Sequence, residues 1–527
     1  SKVAENLWLI LGVTAGSVAL TTPQKAGYLK DIKKMLLSVP AMCMYLIVLT
    51  ATVIGFSMDN FFVADDFTWM KWAATADPNA LARSFVDADG FFLRPISKIV
   101  FFVLYTFNAF KPFGYYLSNT VLHVSTGLLM FAFLFVIFKK KWLSFLGALF
   151  FTLLPVHHQN LFWLSTNSIT LSTFFILSGL LLYYFARVKN RFIYIPAFIC
   201  FLLAPFTYEG GIVFLPLIFL FDLFIVPKEM AQIRTKSFWG PYIAAGLITL
   251  LYIAIRMQSD AAGFSGDYNY NYGKLIPNSV GNLAGYVGTF LFGTSVIPFF
   301  SNLRENSREL FIPISVGFVC IGFILVGLVL MLKPFKKAKW SDYKIGFFGL
   351  GFGIVSLLPF LGLGNLSERY IFLGSIGFTV LILFILQKLF SPKNYKFLYG
   401  VLVIAIVVNT IQVLVLERQW HEASRIVYRT LVDFRADYPN PTNSTTDNLS
   451  VYYVSNVPMT YKNAFVYPWG FEDSLWFVYR NKIPQIKRFD MKNFEVIKEE
   501  RRMREFHDGY NKFLIFTFEN NKLFEIR

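Results

Sequence analysis

Residues Val39 to Met58 read VPAMCMYLIVLTATVIGFSM, and just beyond them the chain continues Phe61-Phe62-Val63-Ala64-Asp65-Asp66-Phe67. A helix needs about 20 predominantly apolar residues to cross a bilayer, and Val39 to Met58 meets that length. Two adjacent carboxylates at the end of such a run are costly beside lipid and call for a reason. Two readings stay open at this point. The pair is a solvated loop start, or it supplies a general base at the membrane surface. In the second reading one Asp takes the proton. The other holds an acceptor or raises its neighbour's pKa by like-charge repulsion.

Composition places this stretch in context. The chain has 527 residues, of which 55% are hydrophobic and 19% aromatic, and its mean hydropathy is +0.52. Apolar runs recur along its length, which marks a polytopic helical membrane protein rather than a soluble one. The net charge of +17 would suggest nucleic acid in a soluble chain. Here the Lys and Arg cluster in alternate connections, as the positive-inside rule requires, so no nucleic-acid partner is expected. Cys43, Cys200 and Cys320 all lie in apolar runs without metal-ligand spacing and read as packing residues.

Counting from Val39, the apolar runs predict about eleven spans: 39–58, 113–138, 143–155, 164–185, 192–206, 212–226, 239–256, 311–332, 345–363, 370–387 and 397–416. The basic connections are 25–34, 139–141, 187–191, 228–236, 333–344 and 388–396, and they define the cytoplasmic side. Asp65 and Asp66 then emerge on the outer side. Residues 1–38 form an N-terminal segment. Its weak apolar run, Leu7 to Leu20, fits an interfacial helix, a short span or part of a targeting segment. Residues 39–416 form the membrane domain, including a long outer loop at 59–112. Within that loop Pro95 opens an apolar run, Ile96 to Phe110, which reads as a helix lying in the interface, with a true span as the alternative. Residues 417–527 form a small extracytoplasmic α/β domain. Trp420 to Tyr438 reads as helix, stopped by Pro439-Asn440-Pro441, while Leu449 to Val454 and Phe513 to Phe518 alternate like strands. Asn520-Asn521 marks a hairpin turn. Asn365, Asn443 and Asn448 head N-x-S/T sequons, which matter only in a secretory pathway.

The same topology gathers Asp65, Asp66, Arg94, His157, His158, Glu209, Glu368 and Arg369 at outer loops and outer span ends. Otherwise the short outer connections carry few charges. An acidic pair with an Arg able to grip phosphate through two parallel hydrogen bonds suggests chemistry on a membrane-bound phosphate ester. A divalent metal beside Asp65 and Asp66, with His157 or His158, is a secondary expectation that no ligand spacing demands. His123 lies deeper in its span and shares a helix face with Asn119, a pattern that suits interhelical hydrogen bonding.

Several of these segments, taken in order, resemble the multi-span GT-C glycosyltransferases. They are Asp65-Asp66, Leu93-Arg94-Pro95-Ile96-Ser97, Gly114 to His123, Leu154-Pro155-Val156-His157-His158 with Trp163, Tyr208-Glu209, and Ser367 to Phe378. Within that class the chain is similar to the TPR-containing O-mannosyltransferases and to bacterial protein-mannosyltransferase-like proteins. The resemblance covers roughly residues 40–420; no TPR array follows. It implies a polyprenyl-phosphate-linked sugar donor and an inverting transfer on the outer face. It also implies a protein or glycan hydroxyl as acceptor and a bacterial inner membrane as location. Asp65 or Asp66 corresponds to the family's acidic pair and would be the base, with Asp65 favoured as nearer the span end. Arg369, helped by Arg94, would hold the donor phosphate. A lipid-substrate transporter or flippase, and a non-catalytic scaffold subunit of a membrane assembly, are the competing readings.

Overall fold

The computed structural model describes residues 38–88, 92–226, 236–261, 270, 272–294, 296–306, 343–390, 392–438, 451–480, 484–499 and 513–526, with isolated positions between 314 and 322. The N-terminal apolar run, the basic residues at 25–34, the expected span at 311–332 with Cys320, and the sequons at Asn443 and Asn448 lie outside the described residues.

Seven helices among the described residues are long and apolar enough to cross a membrane: Val39–Asp59, Pro112–Phe138, Leu164–Val188, Trp239–Gln258, Lys344–Leu361, Glu368–Leu389 and Pro392–Asp437. That is the anatomy of a multi-pass membrane protein. Three more apolar helices, Pro95–Asn108, Lys141–Thr152 and Arg191–Thr207, are shorter, and Phe214–Phe224 has 11 residues. Proline opens several elements. Pro78, Pro95 and Pro112 each stand in a helix's first turn, where a missing N–H costs nothing. The bundle is tightest between Lys344–Leu361 and Ile371–Leu389. There a Cβ placed on Gly377 would lie 2.3 Å from the Gly353 backbone nitrogen, so only glycine allows this approach. Asn119 and His123 both bond across to other elements. Asn119 Nδ2 donates to the Leu161 carbonyl at 2.8 Å, and His123 Nε2 lies 2.9 Å from the Thr152 carbonyl.

The last long helix, Tyr395–Asp437, runs without a break for 43 residues. It carries the chain from the apolar bundle into the C-terminal part, across the composition change at 416–417. Beyond it lies a four-stranded sheet. Its strands are β1 (Val451–Ser455), β4 (Gln485–Phe489), β5 (Phe513–Glu519) and β6 (Lys522–Glu525); β2 (Thr460–Tyr461) and β3 (Ala464–Phe465) pair separately. The sheet order is β4-β1-β5-β6. β1 is central and parallel to both neighbours, and β6 folds back antiparallel on β5. The β5–β6 turn is Asn520-Asn521, both left-handed at φ 50° and 62°. That is the conformation a two-residue hairpin demands and Asn tolerates. Helix Phe471–Tyr479 joins β3 to β4.

One hydrophobic core ties these parts together. Phe62, Phe67 and Trp69 from the 59–112 loop pack with Tyr115, Tyr116, Trp163 and Trp420. The same cluster includes Phe434, Tyr452, Tyr467, Phe471 and Phe516. Phe477 is its hinge pin, with ring centroids 4.8 Å from Phe67 and 4.7 Å from Phe110.

Candidate active site

Asp65 and Asp66 sit where the loop after the first long helix turns into the helix Asp66–Thr75, with Asp65 as its N-cap residue. Ala64 holds a left-handed φ of 51° just before them. Its N–H donates to the Val466 carbonyl at 2.9 Å. Opposite, Gly470 is also left-handed at φ 75°, and a Cβ there would stand 2.2 Å from the Ala64 carbonyl oxygen. Non-glycine residues at positive φ cost about 1–3 kcal/mol and persist where surroundings enforce them. Here the enforcing surroundings come from the C-terminal part.

The two carboxylates have different fates. Asp66 is fully buried. Its Oδ1 accepts from the Ser165 N–H at 2.8 Å and the Ser165 hydroxyl at 2.7 Å, and its Oδ2 accepts from the Val63 N–H at 3.1 Å. Burial and the neighbouring Asp65 charge push it up to about 7, against those three donors. Asp65 is only half-buried. Its Oδ1 accepts from the Trp163 indole N–H at 3.0 Å. Burial raises its pKa; Ser165, Arg369, Trp163 and Arg94 oppose the rise.

Arg369 lies close by, in the short turn Glu368–Tyr370 that opens Ile371–Leu389. Its guanidinium sits 5.2 Å over the Trp163 ring and 4.8 Å over Tyr370, and it donates to the Tyr370 hydroxyl at 3.1 Å. Glu368 is anchored from the other side. It accepts from His158 Nε2 and, at 2.9 Å, from Gln159 Nε2. The Trp420 indole N–H donates to His158 Nδ1 at 2.9 Å, so the His158 proton rests on Nε2, toward Glu368. The long last helix thereby braces the turn that holds Arg369. His157 is buried and lies 2.9 Å from the Ser375 hydroxyl.

Arg94 and Glu209 engage each other. Arg94 Nε and its terminal nitrogen reach the two Glu209 oxygens at 2.8 and 2.6 Å, with both side chains nearly buried. This is a two-pronged ion pair, the strongest geometry the two groups can adopt. Both oxygens of Asp66 and both ring nitrogens of His158 are occupied, and among the described residues no three His, Cys, Asp or Glu side chains converge.

The structure therefore brings Asp65 and Arg369 together around Trp163. It gives Asp66, His158 and Glu368 holding positions, and joins Arg94 to Glu209 as a pair. Four residues that motif reading passes over belong to the same place. Ser165 seals Asp66. Trp469 stacks on Trp163 with centroids 6.0 Å apart and planes within 6°. Gly470 abuts Ala64. Asp473 accepts from the Thr68 hydroxyl at 2.6 Å and from Lys71 at 2.8 Å, both on the helix that follows Asp65. Their only sequence signal is Pro468-Trp469-Gly470, a turn-like triplet that places an aromatic residue in a polar domain.

No family model matches the chain, and no curated protein matches it. Among solved structures it is similar to the crystal structure of the Archaeoglobus fulgidus oligosaccharyltransferase in the apo form, with a TM-score of 0.42 and 10% identity. That similarity covers 84% of this chain and 64% of the other, so the chain spans less than two thirds of that structure's length.

Proposed function

We propose that this chain is a membrane glycosyltransferase of the GT-C type, moving a sugar from a polyprenyl-phosphate donor to a hydroxyl on the outer face, with inversion. The observation that carries the reading is the division between the two carboxylates. Asp66 is saturated by three donors, while Asp65 is partly open and sits within the field of Arg369. A general base must reach its proton and be an anion when it does. Asp65 meets the first requirement better than Asp66, since it is the more exposed of the two and has fewer donors on its carboxylate.

In this reading the acceptor hydroxyl gives its proton to Asp65 as its oxygen bonds to the anomeric carbon. The bond from that carbon to the phosphate oxygen breaks, and polyprenyl phosphate leaves. Charge accumulates on the leaving phosphate, so a cation fixed nearby stabilises the transition state more than the ground state. Arg369 is assigned that task. The turn that carries it is braced through Glu368, His158 and Trp420, which limits reorganisation. Arg94 and Glu209 are assigned a positioning role, since each saturates the other.

The test compares Asp65→Asn with Asp66→Asn on the purified full chain, measuring lipid-donor binding and sugar transfer, with melting temperature as a folding control. Asp65→Asn should cut transfer by about 10²–10⁴-fold while donor binding survives. Asp66→Asn should lower stability and affect transfer less. If both folded variants transfer sugar at the wild-type rate, the pair is not catalytic and a transporter or scaffold becomes the better reading.

A further inference from the structure

Trp469 is a large aromatic side chain left 41% exposed beside the proposed base, whereas Trp163, against which it lies, is 3% exposed. Its position is fixed on several sides. Phe465 packs edge-on at 5.6 Å, Trp163 lies parallel at 6.0 Å, and Gly470 behind it is wedged against the Ala64 carbonyl. Trp163 in turn donates its indole N–H to Asp65. One aromatic platform thus runs from the reacting carboxylate to an exposed indole, with the Arg369 guanidinium over the Trp163 part of it. Among the described residues the Trp469 indole N–H has no hydrogen-bond partner.

The nearby backbone narrows what can sit there. An extended peptide needs open N–H and C=O groups along a strand edge. Three of those groups just before Trp469 are already used. The Val466 N–H donates to Met459, the Tyr467 N–H donates to Pro458, and the Val466 carbonyl accepts from Ala64. What remains open is the exposed part of the Trp469 indole, which carries one N–H donor. The C–H face of a pyranose ring suits that surface, since its slightly positive hydrogens meet the negative face of the indole. Ring hydroxyls can then accept from the indole N–H.

We propose that Trp469 is the floor of an acceptor subsite that takes a sugar ring, so that the acceptor is a glycan rather than a Ser or Thr of an extended peptide. This rests on the glycosyltransferase reading above for its role in transfer, but the binding site itself can be tested apart from activity.

The probes are a panel of methyl hexosides and a Ser/Thr-containing peptide, offered to the purified full chain. Binding is followed by isothermal titration calorimetry, and transfer from a lipid-linked sugar by the KM and kcat for each acceptor. At least one hexoside should bind and serve as acceptor. Trp469→Ala should weaken its binding and raise its KM by about tenfold, with a smaller change in kcat, and Trp469→Phe should restore most of the affinity. A peptide that accepts sugar while no hexoside binds or accepts would overturn the subsite and leave the glycosyltransferase reading standing. Unchanged hexoside affinity in folded Trp469→Ala would also overturn it. Hexoside binding lost in Trp469→Ala, in a protein that transfers no sugar, would keep the subsite and remove the glycosyltransferase reading.

Discussion

At the scale of single residues, two neighbouring carboxylates end up chemically unlike because of what the fold places beside them. Asp66 receives Ser165, 99 residues on, and Asp65 receives Trp163, 98 residues on. The indole N–H favours the Asp65 anion, so Trp163→Phe, which keeps the ring bulk but removes the donor, should raise the Asp65 pKa. A base works as the anion, so the acid limb of the rate profile must move to higher pH. A hydrogen bond to a charged group is worth about 1.5–3 kcal/mol, or roughly one to two pH units if it is wholly lost. The measurement is kcat/KM for transfer against pH in both proteins; coincident limbs would remove Trp163 from the tuning of Asp65. The acid pair itself stood out in the sequence because two adjacent carboxylates follow closely on a membrane-length apolar run and sit among aromatic residues. Which member is sealed did not, since Ser165 is an ordinary residue until the fold delivers its N–H and hydroxyl to Asp66.

At the scale of elements, the helix Asp66–Thr75 is clamped to the helix Phe471–Tyr479 by Asp473, which holds Thr68 and Lys71. The Lys71–Asp473 pair is partly exposed, at 39% and 25%, and pairs of that kind contribute about 0–1 kcal/mol. Asp473→Asn should therefore shift the melting temperature by only a few degrees. If the clamp aims Asp65, transfer should fall further than stability does, since small misplacements of a catalytic group cost up to about 10²-fold. We expect roughly a tenfold loss in kcat, shared by Lys71→Met. The double variant should be no worse than either single one, as for two halves of one contact. Kinetics and melting curves on the three variants check this, and full activity in all of them would reduce the clamp to a surface contact. Long apolar helices and the Asn520-Asn521 hairpin were legible because composition and turn chemistry are local. The strand Gln485–Phe489, reading QIKRF, was not, because it shows no apolar run and is a strand only through its parallel pairing with β1.

At the scale of the whole molecule, the 59–112 loop and the C-terminal sheet share one hydrophobic core, so neither is a detachable part. The unbroken helix Tyr395–Asp437 gives that core a rigid mast. The basic connections at 139–141 and 187–191 set the expected orientation, with the C-terminal part on the opposite side. A reporter fused after the last residue should be labelled by a membrane-impermeant reagent from outside, and a reporter placed at 189 only after permeabilisation. The reverse pattern would invert the proposed face of transfer.

The amino-acid sequence by itself determined the membrane class, the order of the apolar helices, the α/β character of the C-terminal part, and the position of Asp65, Asp66 and Arg369 at span ends. These follow from runs of about 20 residues that must match a bilayer's thickness and from charges that avoid it. The tertiary structure alone decided that Asp66 is enclosed and Asp65 half-open, that Arg94 closes on Glu209, that Trp469 stacks on Trp163, and that Asp473 holds the helix Asp66–Thr75. Thr68 and Asp473 are 405 residues apart in the chain, and His158 and Glu368 are 210 apart. Hydrogen bonds and ring contacts act over only a few ångströms, so such pairs form only where packing of the shared core brings distant segments together.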